Sequence, residues 1–335
     1  MTDPNPPKRP TIRPYGSAAI AEAAALIRAG EPVAIATETV YGLAADATRG
    51  ESVAAIYAAK GRPSFNPLIV HVLDLAAAEQ IAEFDPLAQK LAATFWPGPL
   101  TLVLPLRSDS GIASLVTAGL ATIAIRVPAH TAMRALLEAT GVPLAAPSAN
   151  ASGNISPTRA AHVAQSLADR IPLVIDAGPT VLGLESTIVA VTDDMLRLLR
   201  PGPITTEMLR NATGLTPLTF SSNNIEAPGQ LASHYAPSLP IRLNAETATP
   251  EEWHIGFGPI SGDRSLSPEG NPITAAANLF EALHQADASG CTAIAVAPIP
   301  HDGLGAAIND RLARPAAPGK SPPTPFVSSL SRTQR

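Results

Sequence analysis

Short runs of continuously apolar residues alternate along this chain with longer stretches in which apolar residues recur every three or four positions. A run of four to six apolar residues predicts a strand buried on both faces, and the longer periodic stretches predict helices. Helices are expected at 17–28, with Ser17 as cap and Gly30 as stop, at 51–59 ending on Gly61, from Asp85-Pro86 onward, at 131–140 ending on Gly141, and at 159–167. Strands are expected at 33–37, 68–72, 100–104, 122–127, 144–146, 173–176, 187–191 and 195–199. Several strands follow one another with no helix between them. The expected sheet is therefore mixed and twisted rather than regularly doubly wound.

The pattern fades between 206 and 238, where Ser221-Ser-Asn-Asn224 and Ala227-Pro-Gly229 have linker chemistry. It resumes with strands at 240–243, 253–257 and 291–297 and helices at 275–288 and 305–313. The expected organisation is a disordered, proline-punctuated arm at 1–14, a large α/β domain at 15–205, a linker or lid at 206–238, and a smaller C-terminal Rossmann-like α/β domain at 239–335.

Composition narrows the classes. Of 335 residues, 46% are hydrophobic and 15% charged, which fits a packed globular chain. A net charge of −5 and an aromatic content of 4% argue against a surface built to coat nucleic acid or to stack bases. The single cysteine, Cys291, excludes an intrachain disulfide and a cysteine-rich zinc site, and reads as a small core residue of its strand. No apolar run approaches the roughly 20 residues of a membrane span, and the N-terminus has no apolar leader core. A soluble, cytoplasmic protein without membrane contact is expected.

The candidate chemistry begins at Lys60-Gly-Arg62-Pro63. The chain has only four lysines, and one of them sits in this turn beside an arginine. Two fixed cations on a loop suggest an anion site, such as a phosphate; capping of the preceding helix by the same charges is the alternative. Ser148-Ala-Asn150 follows a strand end, where open α/β folds place ligands, but an ordinary turn would use the same residues. Arg126 ends the apolar run Thr122-Ile-Ala-Ile-Arg126 and needs a partner, either a substrate carboxylate or an internal acid such as Glu38. His71, between Val70 and Val72, reads as a core histidine or a ligand contact. Gly319-Lys320-Ser321 and Gly256-Phe-Gly258 lack the remaining glycines of nucleotide-binding loops.

Taken in order, Thr39-Val-Tyr-Gly-Leu43, Lys60-x-Arg62, Asn66-Pro-Leu68, Phe95-Trp-Pro-Gly-Pro-Leu-Thr101, Arg126-Val-Pro128, Ser148-Ala-Asn150 and Glu185-Ser-Thr187 closely resemble the YrdC/Sua5 family. Ser233-His-Tyr-Ala-Pro237 and the domain after it look like the longer, two-domain form. The resemblance implies a twisted α/β sheet with a concave, positively charged cleft. It implies L-threonylcarbamoyladenylate synthase activity: a nucleotidyltransferase that joins L-threonine, bicarbonate or CO₂, and ATP with its Mg²⁺, and releases pyrophosphate. The product would pass to the complex that transfers threonylcarbamoyl to position 37 of tRNA, with at most a weak RNA contact of its own. By the same resemblance Lys60 and Arg62 are the catalytic cations. The nucleotide is expected at Lys60, Arg62, Asn66, Thr122, Ser148, Asn150, Ser156, Arg200, His234 and Tyr235. Threonine is expected at Thr39, His71, Arg126, Ala146 and Ser186.

Overall fold

The computed structural model describes residues 10–192, 195–219, 226–228 and 236–314. The strands of the first domain are β1 (Thr11–Pro14), β2 (Val33–Ala36), β3 (Tyr41–Asp46), β4 (Ile69–His71), β5 (Leu100–Pro105), β6 (Thr122–Arg126), β7 (Leu144–Ala145), β8 (Leu173–Asp176), β9 (Thr187–Thr192) and β10 (Met195–Arg200). They form one sheet in the order β1-β8-β2-β3-β7-β4-β6-β5-β9-β10. Pairs β1–β8, β8–β2, β4–β6 and β5–β9 run parallel and the others antiparallel, so the sheet is mixed as expected.

The helices are α1 (Ser17–Arg28), α2 (Gly50–Lys60), α3 (Leu75–Glu79), α4 (Pro86–Phe95), α5 (Ser114–Thr117), α6 (Thr131–Thr140), α7 (Ala160–Leu167) and α8 (Thr206–Thr213). The continuously apolar strands are explained by burial on both faces. Val33 and Ile35 pack against α1 and α6, whereas Ala34 and Ala36 point into the opposite core with α2, α4 and α7. The helix ends follow local chemistry. Asp85 caps α4 by accepting from Ala88 N at 2.6 Å, with Pro86 at the first helical position. Gly61 and Gly141 end α2 and α6 in the left-handed conformation.

Four expectations are corrected. Ser17 is the first helical residue rather than a cap; Gly16 holds the cap position, with no side chain to donate or accept. Residues 11–14 are not disordered but form an edge strand, whose backbone pairs with β8 although its side chains are exposed. Strand β3 was invisible in the sequence because Gly42, Ala44 and Ala45 carry little strand preference; its pairing with β2 imposes the conformation. The stretch read as linker opens with α8, which packs against α4.

In the second domain β11 (Ile241–Arg242), β12 (Glu252–Gly256), β13 (Arg264–Ser265) and β14 (Ala293–Val296) form a parallel sheet in the order β11-β14-β12-β13. Helices α9 (Pro272–Asp287) and α10 (Gly303–Leu312) pack on it and on each other. Cys291 lies just before β14 and is half-buried, so it is not the core residue its neighbours suggest. The two domains share a core: Val40, Ile155 and Leu184 of the first are buried with α9 and α10 of the second. Polar contacts join them too. Arg159 pairs with Glu281 at 2.6 Å, and the rings of His162 and His284 stack at 3.8 Å.

Candidate active site

The period-two geometry of the central strands builds the site. On β6 the side chains of Ile123 and Ile125 enter the core, leaving Thr122, Ala124 and Arg126 on the other face. On neighbouring β4, Val70 is in the core and Ile69 and His71 share the face of Arg126; His71 stands directly opposite Arg126 in the ladder. A concave pocket opens over this face. Its walls are the β2–β3 turn (Thr37, Thr39, Val40), Gly42, Arg62, the 146–148 loop, Glu185, Ser186, Arg200 and Pro228.

Arg126 organises one end. Its Nη2 lies 2.6 Å from the Glu38 carboxylate, Nη1 donates to Thr39 Oγ1 at 3.0 Å, and Nε donates to Gly98 O at 3.2 Å. Glu38 is thus the internal partner of Arg126, and the guanidinium also lies on the pocket wall. Burial pushes the Glu38 pKa up, but the Arg126 charge, its hydrogen bond and nearby backbone N–H groups together outweigh it and hold the carboxyl below its usual range. Thr39 is set by a hydroxyl turn in which Thr37 Oγ1 contacts Thr39 Oγ1 at 2.8 Å and donates to Val40 O at 2.6 Å.

The cationic turn and the hydroxyl-amide loop converge. Lys60, at the end of α2, donates through Nζ to Ser148 O and to Asn150 O, both at 2.5 Å, and its own carbonyl accepts from Ser152 N at 2.8 Å. Main-chain bonds from Leu43 N to Pro147 O and from Ala149 N to Tyr41 O fasten the same loop to β3. Lys60 is buried and does not line the pocket. Burial, then the charges of Arg62 and Arg170, press its pKa well below the usual lysine value. Arg62 does reach the wall, and its fork is braced by Asn66 O at 3.1 Å and Pro67 O at 2.8 Å.

Across the pocket, Ser186 Oγ lies 2.7 Å from Thr101 Oγ1. Arg200 grips the same residue, donating from Nε to Ser186 O at 3.0 Å and from Nη2 to Ser186 Oγ at 3.1 Å. Linker residues approach from above. Ala227 is buried with Ile69, Ala124 and Ile188, and Glu226 forms a two-pronged pair with Arg197 at 2.7 and 3.0 Å. Ala236 N bonds Gly153 O at 3.0 Å at the far side of the 148–156 loop.

Of the expected residues, Thr39, Arg62, His71, Arg126, Ala146, Ser148, Ser186 and Arg200 meet at this pocket. Four besides Lys60 do not line it. Asn66 is fully buried in the Arg62 turn, with neither amide atom hydrogen-bonded. Asn150 turns inward and donates to Ala151 O and Asn154 O. Ser156 lies under the second domain, where its carbonyl is 3.2 Å from His284 Nε2. Thr122 stands at the other end of β6, opposite Pro105. His234 and Tyr235 lie outside the described residues. Glu185 lines the pocket although only its neighbour Ser186 was singled out; its place in the Glu185-Ser-Thr187 motif was the available signal.

His71 is buried, and its Nδ1 has no hydrogen-bond partner. Burial, reinforced by the Arg126 charge, lowers its pKa to about 3. Burial and the neighbouring His284 ring lower that of His162 to about 4. Both are neutral when folded at neutral pH. The unfolded chain binds these protons near pH 6.5, so stability present above that value is lost as pH falls towards the folded values. Urea unfolding is expected to give a protein at least about 2 kcal/mol less stable at pH 5 than at pH 7.5 from His71 alone. The His71→Gln variant should lose much of that slope; equal stability at the two pH values in the parent chain would show that these rings are not held neutral.

With this geometry in hand, comparison with known proteins is direct. Residues 25–202 match the Sua5/YciO/YrdC family, described as telomere recombination, and residues 204–317 match the family described as threonylcarbamoyl-AMP synthase, C-terminal domain. The chain is 42% identical over 323 residues to the threonylcarbamoyl-AMP synthase of Bacillus subtilis, spanning 89% of this chain and 92% of that one. It is 39% identical over 313 residues to the Pyrococcus abyssi protein of the same name, spanning 87% and 92%. The solved structure of P. abyssi Sua5 complexed with L-threonine superposes with a TM-score of 0.82 at 36% identity, covering 90% of this chain and 96% of that one. Motifs, two-domain architecture and relatives agree, and the chain belongs to the Sua5/YciO/YrdC family in its two-domain form.

Proposed function

We infer that this chain is an L-threonylcarbamoyladenylate synthase, making threonylcarbamoyl-AMP and pyrophosphate from L-threonine, bicarbonate or CO₂, and ATP. The observation that carries the reading is one pocket holding two kinds of wall. One end has Arg126, His71 and Thr39, chemistry for an amino acid carboxylate and hydroxyl; the other has Arg62, Ser148 and Arg200, chemistry for phosphate oxygens. Relatives bearing that activity in their names, at up to 42% identity over nearly the whole chain, support it.

In this reading threonine's neutral amine adds to CO₂, forming the N–C bond of a carbamate and releasing one proton. A carbamate oxygen then attacks the α-phosphorus of ATP, the bond to the β-phosphate oxygen breaks, and pyrophosphate leaves. Mg²⁺ enters as part of the ATP substrate. The protein's work is positioning and charge neutralisation. Arg62 and Arg200 offset triphosphate charge, Ser148 orients it, and Lys60 holds the Ser148 loop. His71, kept neutral, offers Nδ1 as a hydrogen-bonding atom rather than a second cation beside Arg126. The product is a mixed anhydride that water would destroy. Residues 226–228 over the pocket face support a lid formed by the 206–238 segment. The product then passes to the complex that places threonylcarbamoyl on tRNA. No helix among the described residues is long and apolar enough to cross a membrane, which agrees with a cytoplasmic site of action.

The test is pyrophosphate release from ATP and bicarbonate with and without L-threonine. Release is expected to rise at least tenfold with threonine and much less with serine, which lacks the methyl group. Threonine-independent release would refute the assignment.

A further inference from the structure

Arg311, on α10 of the second domain, has its side chain fully enclosed, and it is among the largest fully buried side chains of the described residues. It occupies the apolar face of α10 together with Ala307, Ile308 and Leu312, where an aliphatic residue would satisfy the packing. Its polar atoms are instead directed across the domain boundary. Nε donates to Glu185 Oε2 at 3.1 Å, and Nη1 donates to Pro201 O at 2.6 Å. Nη1 also lies 3.0 Å from Asp310 Oδ2.

Those two contacts fall on the two turns that make one wall of the pocket. Glu185 precedes Ser186, and Pro201 follows Arg200; Glu185, Ser186 and Arg200 line the pocket, and Arg200 already grips Ser186. The turns are packed to the limit. A Cβ at Gly202 would lie 2.6 Å from Thr187 N and 2.7 Å from Glu185 O. The second domain presses on the same segment through α9, since a Cβ at Gly183 would lie 2.5 Å from Ala276 O. One guanidinium from α10 thus adds a brace across two turns separated in sequence, alongside the Arg200–Ser186 and Thr187–Ile204 bonds that join them within the first domain.

We propose that Arg311 is a positioning residue through which the second domain sets the Glu185–Ser186 turn against the Arg200–Pro201 turn, fixing the wall where Ser186, on the threonine side, meets Arg200, on the phosphate side. The proposal rests on the threonine-plus-ATP reading above and gives the second domain a part in substrate binding rather than bracing alone. A buried arginine that only held the domains together would affect melting temperature and leave the kinetics of folded molecules unchanged.

The experiment uses the full chain. Arg311→Met keeps the apolar stem and removes the fork. Threonine KM and ATP KM are both expected to rise, threonine KM at least tenfold, and Arg311→Lys, which can reach Glu185 without also holding Pro201, should fall between. Threonine affinity measured by calorimetry without ATP should weaken in parallel. The Arg311→Met/Glu185→Gln double variant should be no worse than the poorer single variant, because the two residues act as one unit. Folded Arg311→Met protein with the parent threonine KM and affinity overturns the proposal, whatever its melting temperature. If that variant does not fold, Arg311→Lys decides: a threefold or greater rise in threonine KM supports the proposal, and no change overturns it. A parent enzyme that binds threonine but shows no threonine-dependent pyrophosphate release would refute the function assigned above; the calorimetric comparison would still judge Arg311.

Discussion

A Lys60→Met variant is expected to lose at least about 100-fold in threonine-dependent pyrophosphate release and to unfold at a lower temperature. Its ammonium holds the carbonyls of Ser148 and Asn150 at 2.5 Å each, in the interior. Removing these two hydrogen bonds leaves two carbonyls unpaired where water is scarce, at a cost of roughly 1–3 kcal/mol each. The loop they anchor carries Ala146 and Ser148 on the pocket wall, so a small shift in it moves contacts for both substrates. This separates two roles for the lysine. A cation serving only the triphosphate would leave threonine affinity untouched in the absence of ATP, whereas a cation that positions the loop weakens it. Calorimetry with threonine alone distinguishes them, and unchanged affinity would remove the positioning role.

Arg126→Met is expected to cost about 3–5 kcal/mol of stability, because the Glu38 carboxylate, 2.6 Å away and buried, is left without its counter-charge. Threonine binding should weaken at least 100-fold in the same variant, since a carboxylate would lose its charged fork. The two effects are separable. In Arg126→Met/Glu38→Gln both charges are gone, so denaturant unfolding should return to within about 1–2 kcal/mol of the parent while threonine binding stays lost. Recovery of threonine binding in the double variant would show that Arg126 serves only Glu38.

Most strands were legible because they carry branched apolar residues without interruption, as in Val33–Ala36 and Thr187–Thr192, and a strand buried on both faces needs that pattern. Strand β3 and edge strand β1 were not. The small residues of the one and the exposed, proline-ended sequence of the other adopt extended form only because neighbours offer backbone partners. At the site, motifs far apart in sequence meet: Thr39, Arg62, His71, Arg126, Ala146, Ser148, Ser186 and Arg200 line one pocket, whereas Lys60, Asn66, Asn150 and Ser156 sit behind or beside its wall. A motif preserves which residues a site needs, but a residue that holds a loop and a residue that touches a ligand look alike in it. Arg311 is illegible for the opposite reason: it lies in α10, 126 positions from Glu185 in sequence, and has no local motif around it.

The amino acid order alone determined the alternation of strand and helix, the caps at Asp85, Gly61 and Gly141, the presence of two domains and the family, since each follows from residues within a turn or two of one another or from motifs read in series. Tertiary structure alone decided that Arg126 faces Glu38, that Lys60 spends its charge on the 148–150 carbonyls, and that a guanidinium from the second domain sets a wall of the first domain's pocket. A buried charge must find a partner, and which one it finds depends on how distant strands and helices are brought together, a question that no local spacing answers.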